Sequence, residues 1–222
     1  GGLAFGTPFI RPNQQGVAHV LLFGAALLAP LFFVLFDPFD SDQTSAFTWL
    51  QYAFVPPTLL VAVLGCKTMV AAPRTWTDVR FLCLVTSIAV FGLGGVLGIF
   101  VDGADTRTPA HYHGVIGGIN LAFMGLFFGF FLPLMDRRLN PGRAQRLSVW
   151  FYATGQALHS LGLFLAGGYG APRKTAGDAQ MIEALGAQIG LYGMGIGAVI
   201  AVVGGVMFIW LAGRALLRRV DP

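Results

Sequence analysis

Six stretches of about 20 residues with almost no charge, at 16–36, 47–71, 80–101, 110–135, 147–168 and 184–213, dominate this chain. A peptide segment of that length and polarity satisfies its own backbone hydrogen bonds only as a helix, and as a helix it is long enough to cross a bilayer. The 222 residues are 55% hydrophobic and 11% charged, with a mean hydropathy of +0.71, too few charges to coat a water-soluble domain of this size. No connecting segment is long enough to fold alone. The expectation is one all-α, polytopic membrane domain over residues 1–222 with six transmembrane helices.

Charge orients such a bundle. With six spans, alternate loops share a side. One side collects Arg11, Lys67, Arg74, Arg80, Arg137, Arg138, Arg143, Arg146, Arg214, Arg218 and Arg219. The other holds only Arg107, Arg173 and Lys174, beside Asp37, Asp40, Asp42, Asp102, Asp105, Asp178 and Glu183. Eleven cations against three give a positive-inside pattern. Both termini are expected in the cytoplasm of a bacterial-type inner membrane. The basic balance follows from this topology and gives no reason to expect nucleic acid as a partner. Cys66 and Cys83, on neighbouring spans without a Cys-x-x-Cys spacing, read as small buried thiols.

Proline and glycine punctuate the helices. Pro30 should kink the first stretch, and Pro56-Pro57-Thr58 should break the second. Gly92-x-Gly94-Gly95-x-x-Gly98 lacks the strand-then-helix setting of a nucleotide fingerprint and reads as a helix-packing face, as do the glycines of the last stretch. Phe123, Phe127, Phe128, Phe130 and Phe131 read as packing and lipid-facing surface.

Chemistry is confined to a few polar side chains, and such groups inside a membrane need an explanation. His111 and His113 stand two positions apart, about 200° around a helix, so they face opposite flanks and cannot easily chelate one ion. Each can hold a different ligand, and two flat haems on either side of one helix would use this spacing. Arg173-Lys174 lies on the same predicted face, where haem propionates would need cationic partners. Without a ligand, the same residues read as two interfacial histidines and a snorkelling pair. His159, mid-stretch, reads as a hydrogen-bonded core histidine or a third ligand. Asp102 and Asp105 read as a solvated loop.

Gly94-Gly95-Val96-Leu97-Gly98, a short loop, Ala110-His111-Tyr112-His113 and the aromatic run after it resemble the tenth-helix region of subunit I of the heme-copper oxidase superfamily. That superfamily includes cytochrome c oxidases and nitric oxide reductases. Ala171-Pro172-Arg173-Lys174 is similar to its Pro-Arg-Arg stretch, and Pro57-Thr58 to a Pro-Thr pair of its eighth helix. The resemblance covers most of the chain, as helices seven to twelve. It implies His111 as axial ligand of a high-spin haem, His113 as one ligand of a low-spin haem, and Arg173 and Lys174 on the propionates.

The departures narrow that picture. Phe32-Phe33 stands where the family carries a copper-binding His-His pair, His19 falls at the wrong depth to replace it, and Lys67 is displaced from the proton-uptake position. The resemblance therefore implies haem of b type, one or two, and no copper from this chain. It implies electron transfer within a respiratory complex, with other membrane subunits supplying the N-terminal helices and cytochrome c or a quinol as donor. The chain by itself is then an oxidoreductase subunit rather than a complete enzyme. Two alternatives stay open: a haem-free scaffold or assembly subunit, and half of a split terminal oxidase or nitric oxide reductase completed by a partner chain. A transporter would want polar groups around a midplane helix break, and Pro56-Pro57-Thr58 has no charged companion.

Overall fold

The computed structural model describes residues 3–4, 7–8, 12–38, 40–53, 55–56, 59–60, 63, 75–101, 103, 105–137, 142–175, 177 and 182–217. Pro57, Thr58, Cys66, Lys67, Asp102 and Asp178 lie outside the described residues. So do Arg11, Arg74, Arg138, Arg218 and Arg219 of the charge pattern. Apart from a two-residue pairing of Leu3–Ala4 with Thr7–Pro8 and a single bridge between Asp105 and Pro172, the described residues are helices and their connections. The protein is all-α. It divides into two compact units, Gly1–Arg74 and Thr75–Pro222.

In the first unit, α1 (Pro12–Leu35) and α2 (Ser41–Ala53) are joined by a turn. Asp40 starts α2: its carboxylate accepts from the Ser41 N–H at 2.6 Å, satisfying an otherwise orphaned donor. That cap places the helix start ahead of Phe47, where hydropathy alone begins it. Phe47 packs edge-on against Phe32 and Phe33, with ring centroids 5.8 and 5.2 Å apart. His19 is exposed beside Phe23.

The second unit holds four helices: α3 (Val79–Gly98), α4 (Arg107–Leu134), α5 (Arg143–Gly168) and α6 (Leu185–Leu217). Asp78 caps α3, accepting from the Arg80 N–H at 2.9 Å and pairing with its guanidinium at 2.6 Å. Within α4, Phe127–Phe131 forms a single π turn. Pro133 accounts for it, because a proline has no N–H for the carbonyl four residues back. Leu82, Leu121 and Val149, all fully buried, form the core with Leu132 and Met124. Glycines set the helix spacing: a Cβ on Gly94 would meet the Val115 backbone of α4, and one on Gly162 or Gly197 would meet the facing backbones of α6 or α5. The glycine-rich stretches thus pack helix on helix, as read from sequence. The Phe run divides, with Phe128 buried and Phe123 and Phe130 exposed.

The described residues of the six apolar stretches are mostly helical, and much of 47–71 lies outside the described residues. Among the described residues three helices, Val79–Gly98, Arg107–Leu134 and Leu185–Leu217, are both long and apolar enough to cross a membrane. These make the chain a membrane protein. The apolar part of α1, His19–Leu35, is shorter. At 26 residues, α5 has the length, but Arg143, Gln145, Arg146, Gln156, His159 and several hydroxyls lower its hydropathy.

Candidate functional site: the histidine end of the bundle

The site is assembled at the start of α4. Asp105 grips the first residue of the helix, accepting from the Arg107 backbone N–H at 2.8 Å while its second oxygen pairs with the guanidinium at 2.7 Å. Burial alone would raise the Asp105 carboxyl, but the side-chain bond, the backbone bond and the charge of Arg107 together hold it below its ordinary value. The Thr106 N–H donates to the Ala171 carbonyl at 3.1 Å, and the Thr106 hydroxyl donates to the Leu163 carbonyl at 2.8 Å. These bonds tie the start of α4 to the end of α5 and the turn behind it. Asp105 is therefore a buried clamp rather than the solvated loop residue read from sequence. Arg107 also moves the helix start ahead of residue 110.

That clamp brings the Pro172-Arg173-Lys174 turn to the histidine end of the bundle. A cavity of about 260 Å³ opens there, lined among others by Thr106, Tyr112, Arg173, Lys174 and Met194. Lys174 holds a left-handed backbone conformation, φ +62°, which costs a non-glycine residue about 1–2 kcal/mol. Neither Arg173 nor Lys174 makes an ion pair with a described residue. Among the described residues no three histidine, cysteine or carboxylate side chains converge on a metal position.

The two histidines of α4 take opposite flanks. His111 turns to α3, where its Nδ1 lies 2.8 Å from the Gly94 carbonyl oxygen. A carbonyl only accepts, so Nδ1 carries the proton and Nε2 keeps its lone pair. Gly98 makes this possible, since a Cβ there would lie 2.5 Å from Nδ1. His113 turns to α5 and meets His159 edge to face, with centroids 4.5 Å apart. His159 in turn donates from Nδ1 to the Met194 carbonyl of α6 at 3.0 Å, so its Nε2 is also the free nitrogen. Neither His111 nor His113 lines the cavity that holds the cationic pair and Tyr112.

The pairing of His113 with His159 depends on the register between two helices and escaped the sequence reading. One signal for it existed: Tyr152, Gln156 and His159 recur at helical spacing on α5. A haem ligand needs an imidazole with one nitrogen anchored and the other open, and His111 has that arrangement. The 260 Å³ cavity is smaller than the roughly 300–1,000 Å³ of pockets that enclose drug-sized ligands, so it cannot enclose a porphyrin.

No protein-family model matches the chain. It is similar to two uncharacterized proteins. One, RP382 of Rickettsia prowazekii (strain Madrid E), is 36% identical over 153 residues, covering 64% of this chain and 29% of that protein. The other, from Aquifex aeolicus (strain VF5), is 34% identical over 96 residues, covering 43% of this chain and 24% of that protein. The chain thus spans less than a third of either relative.

Proposed function

We propose that the chain is a haem-binding membrane subunit of a respiratory or redox complex, transferring electrons through haem of b type. The observation that carries this reading is the anchored His111. Its Nδ1–H is fixed on the Gly94 carbonyl at 2.8 Å, which orients the ring and leaves Nε2 for iron. His113, on the opposite flank, would hold a second haem. Arg173 and Lys174, without an ion pair among the described residues and at the same end of the bundle, are the cations for the propionates. When bound, the haem supplies a one-electron redox centre whose potential is set by the axial ligand, burial and nearby charge. The chain's own residues hold and orient it: Gly98 leaves room for the His111 ring, and the Asp105 clamp fixes the start of α4.

The bundle's cavity is too small for the macrocycle, so each haem lies on a flank of α4 and needs covering from outside this unit. Other membrane subunits or further chain, including the N-terminal helices of the heme-copper oxidase pattern, fill that role, with cytochrome c or a quinol as donor. In this reading all six helices span a bacterial inner membrane with both termini in the cytoplasm, and α5 crosses because its polar face is turned inward. No copper is bound by this chain.

A haem-free scaffold is the second reading. It is favoured by the contact of His113 with His159, which gives His113 a packing partner without iron. A reduced-minus-oxidised spectrum of the purified assembly separates the two. A b-type band that is lost in His111→Ala or His113→Ala supports haem ligation, and an assembly without such a band contradicts it.

A further inference from the structure

We propose that the polar face of α5, turned toward α4, lines a hydrated path that passes protons along the bundle. The starting point is a helix that is long enough to span and lies against three apolar ones, yet is polar on its inner side. Gln145, Ser148, Tyr152, Gln156 and His159 recur in steps of three or four residues, which puts them on one face. Ser148 and Ser160 are fully buried, and Gln145 nearly so. Polar side chains placed this way in a membrane bundle are costly, and they mark ion and proton pathways.

The facing helix continues the pattern. The Asn120 amide donates to the Tyr152 hydroxyl at 2.8 Å at the exposed edge of this face, Gln156 packs on Gly117, His113 meets His159, and the buried Thr106 hydroxyl bonds the Leu163 carbonyl. These four rungs run in register along α4 and α5. The last of them reaches the cavity beside Arg173 and Lys174. At the opposite end, Gln145 accepts from the Gly142 N–H at 3.1 Å, next to exposed Arg143. Polar groups therefore follow α5 from one end to the other.

Several of these groups are left without protein partners. The Ser160 hydroxyl is fully buried and makes no hydrogen bond, unlike Ser148, whose hydroxyl bonds the Gln145 carbonyl at 2.8 Å. Gln156 and the His113 ring nitrogens make no hydrogen bond to any described residue. Ordinary packing would satisfy a serine on its own helix, as it does Ser148. Unpaired donors and acceptors at Gln156, His113 and Ser160, between the Asn120–Tyr152 and Thr106–Leu163 hydrogen bonds, call for water as the bridging partner. In each transfer along such a file one O–H or N–H bond breaks as another forms, so a proton entering at one end releases one at the other and no electrons move.

The test is proton flux into vesicles containing the protein with its co-purified subunits, driven by a potassium diffusion potential and read by an entrapped pH-sensitive dye. The expected result is a flux above that of protein-free vesicles. It should fall close to the protein-free rate in Gln156→Leu and in Ser160→Val, return in Gln156→Glu, and be unchanged in Thr154→Val, an exposed position on α5. Variants are compared at wild-type elution volume and helicity. Wild-type flux equal to that of protein-free vesicles overturns the proposal, as does unchanged flux in both Gln156→Leu and Ser160→Val. Haem absorbance of the same samples is an independent readout, so absence of the band rejects the haem reading without touching this one.

Discussion

α5 and α6 lie against each other along their length, yet their sequences obey opposite rules. α6 is apolar on all sides and turns Val199, Val202, Val206 and Ile209 outward, with only glycine and alanine buried. α5 buries Gln145, Ser148 and Ser160, half-buries His159, and keeps Leu158, Leu161 and Leu165 outside. The difference shows that hydropathy reports the surface a helix offers to its surroundings and says little about the face it turns to its neighbours. Close approach makes the arrangement possible: Gly155, Gly162, Gly190, Gly197 and Gly204 bring the two backbones together.

The contact between these helices is the place to break the comparison. A Cβ on Gly197 would collide with the His159 backbone, and Gly197→Val should cost about 3 kcal/mol by forcing α5 and α6 apart. A thermal unfolding midpoint lowered by several degrees, together with loss of the His159–Met194 bond, checks it. A midpoint equal to wild type would show that the glycine spacing is not what holds the pair.

A smaller effect is expected at the clamp that joins α4 to the end of α5. Asp105→Asn removes the charge from a buried ion pair and should cost about 2 kcal/mol. The pH dependence has a defined sign. The Asp105 carboxyl titrates below its unfolded value of about 3.9, so its contribution is complete above that value and is lost as pH falls through the lower folded one. The difference in unfolding midpoint between wild type and Asp105→Asn should be constant at neutral pH and shrink below about pH 4. A difference that grows with acidity contradicts the clamp. Smallest of all, Val202→Ala on the outward face of α6 should shift stability by no more than about 0.5 kcal/mol, sharpening the contrast with Gly197 a little over a turn away.

Most of the helical architecture was legible in the sequence, because an uncharged stretch of spanning length has few other ways to satisfy its backbone. Helix starts were less so. Asp40, Asp78 and the Asp105–Thr106 pair set them, and capping residues sit outside the apolar window. The opposed directions of His111 and His113 followed from helix geometry, whereas the glycine pattern announced close packing without showing that Gly98 makes room for the His111 ring. What escaped was the register between α4 and α5, which joins His113 to His159 and Asn120 to Tyr152. Residues about 30–50 positions apart meet only when two helices are placed side by side, and no local pattern reports that placement.

The most direct test of the account is the haem content of the purified assembly, extracted as the pyridine haemochrome and set against the amount of this chain. Haem b is expected in stoichiometric amount in the wild type, with a loss in His111→Ala that Gly95→Ala does not reproduce, because a Cβ at Gly95 meets no neighbouring atom. An assembly that is intact and active in its membrane but free of haem would contradict it.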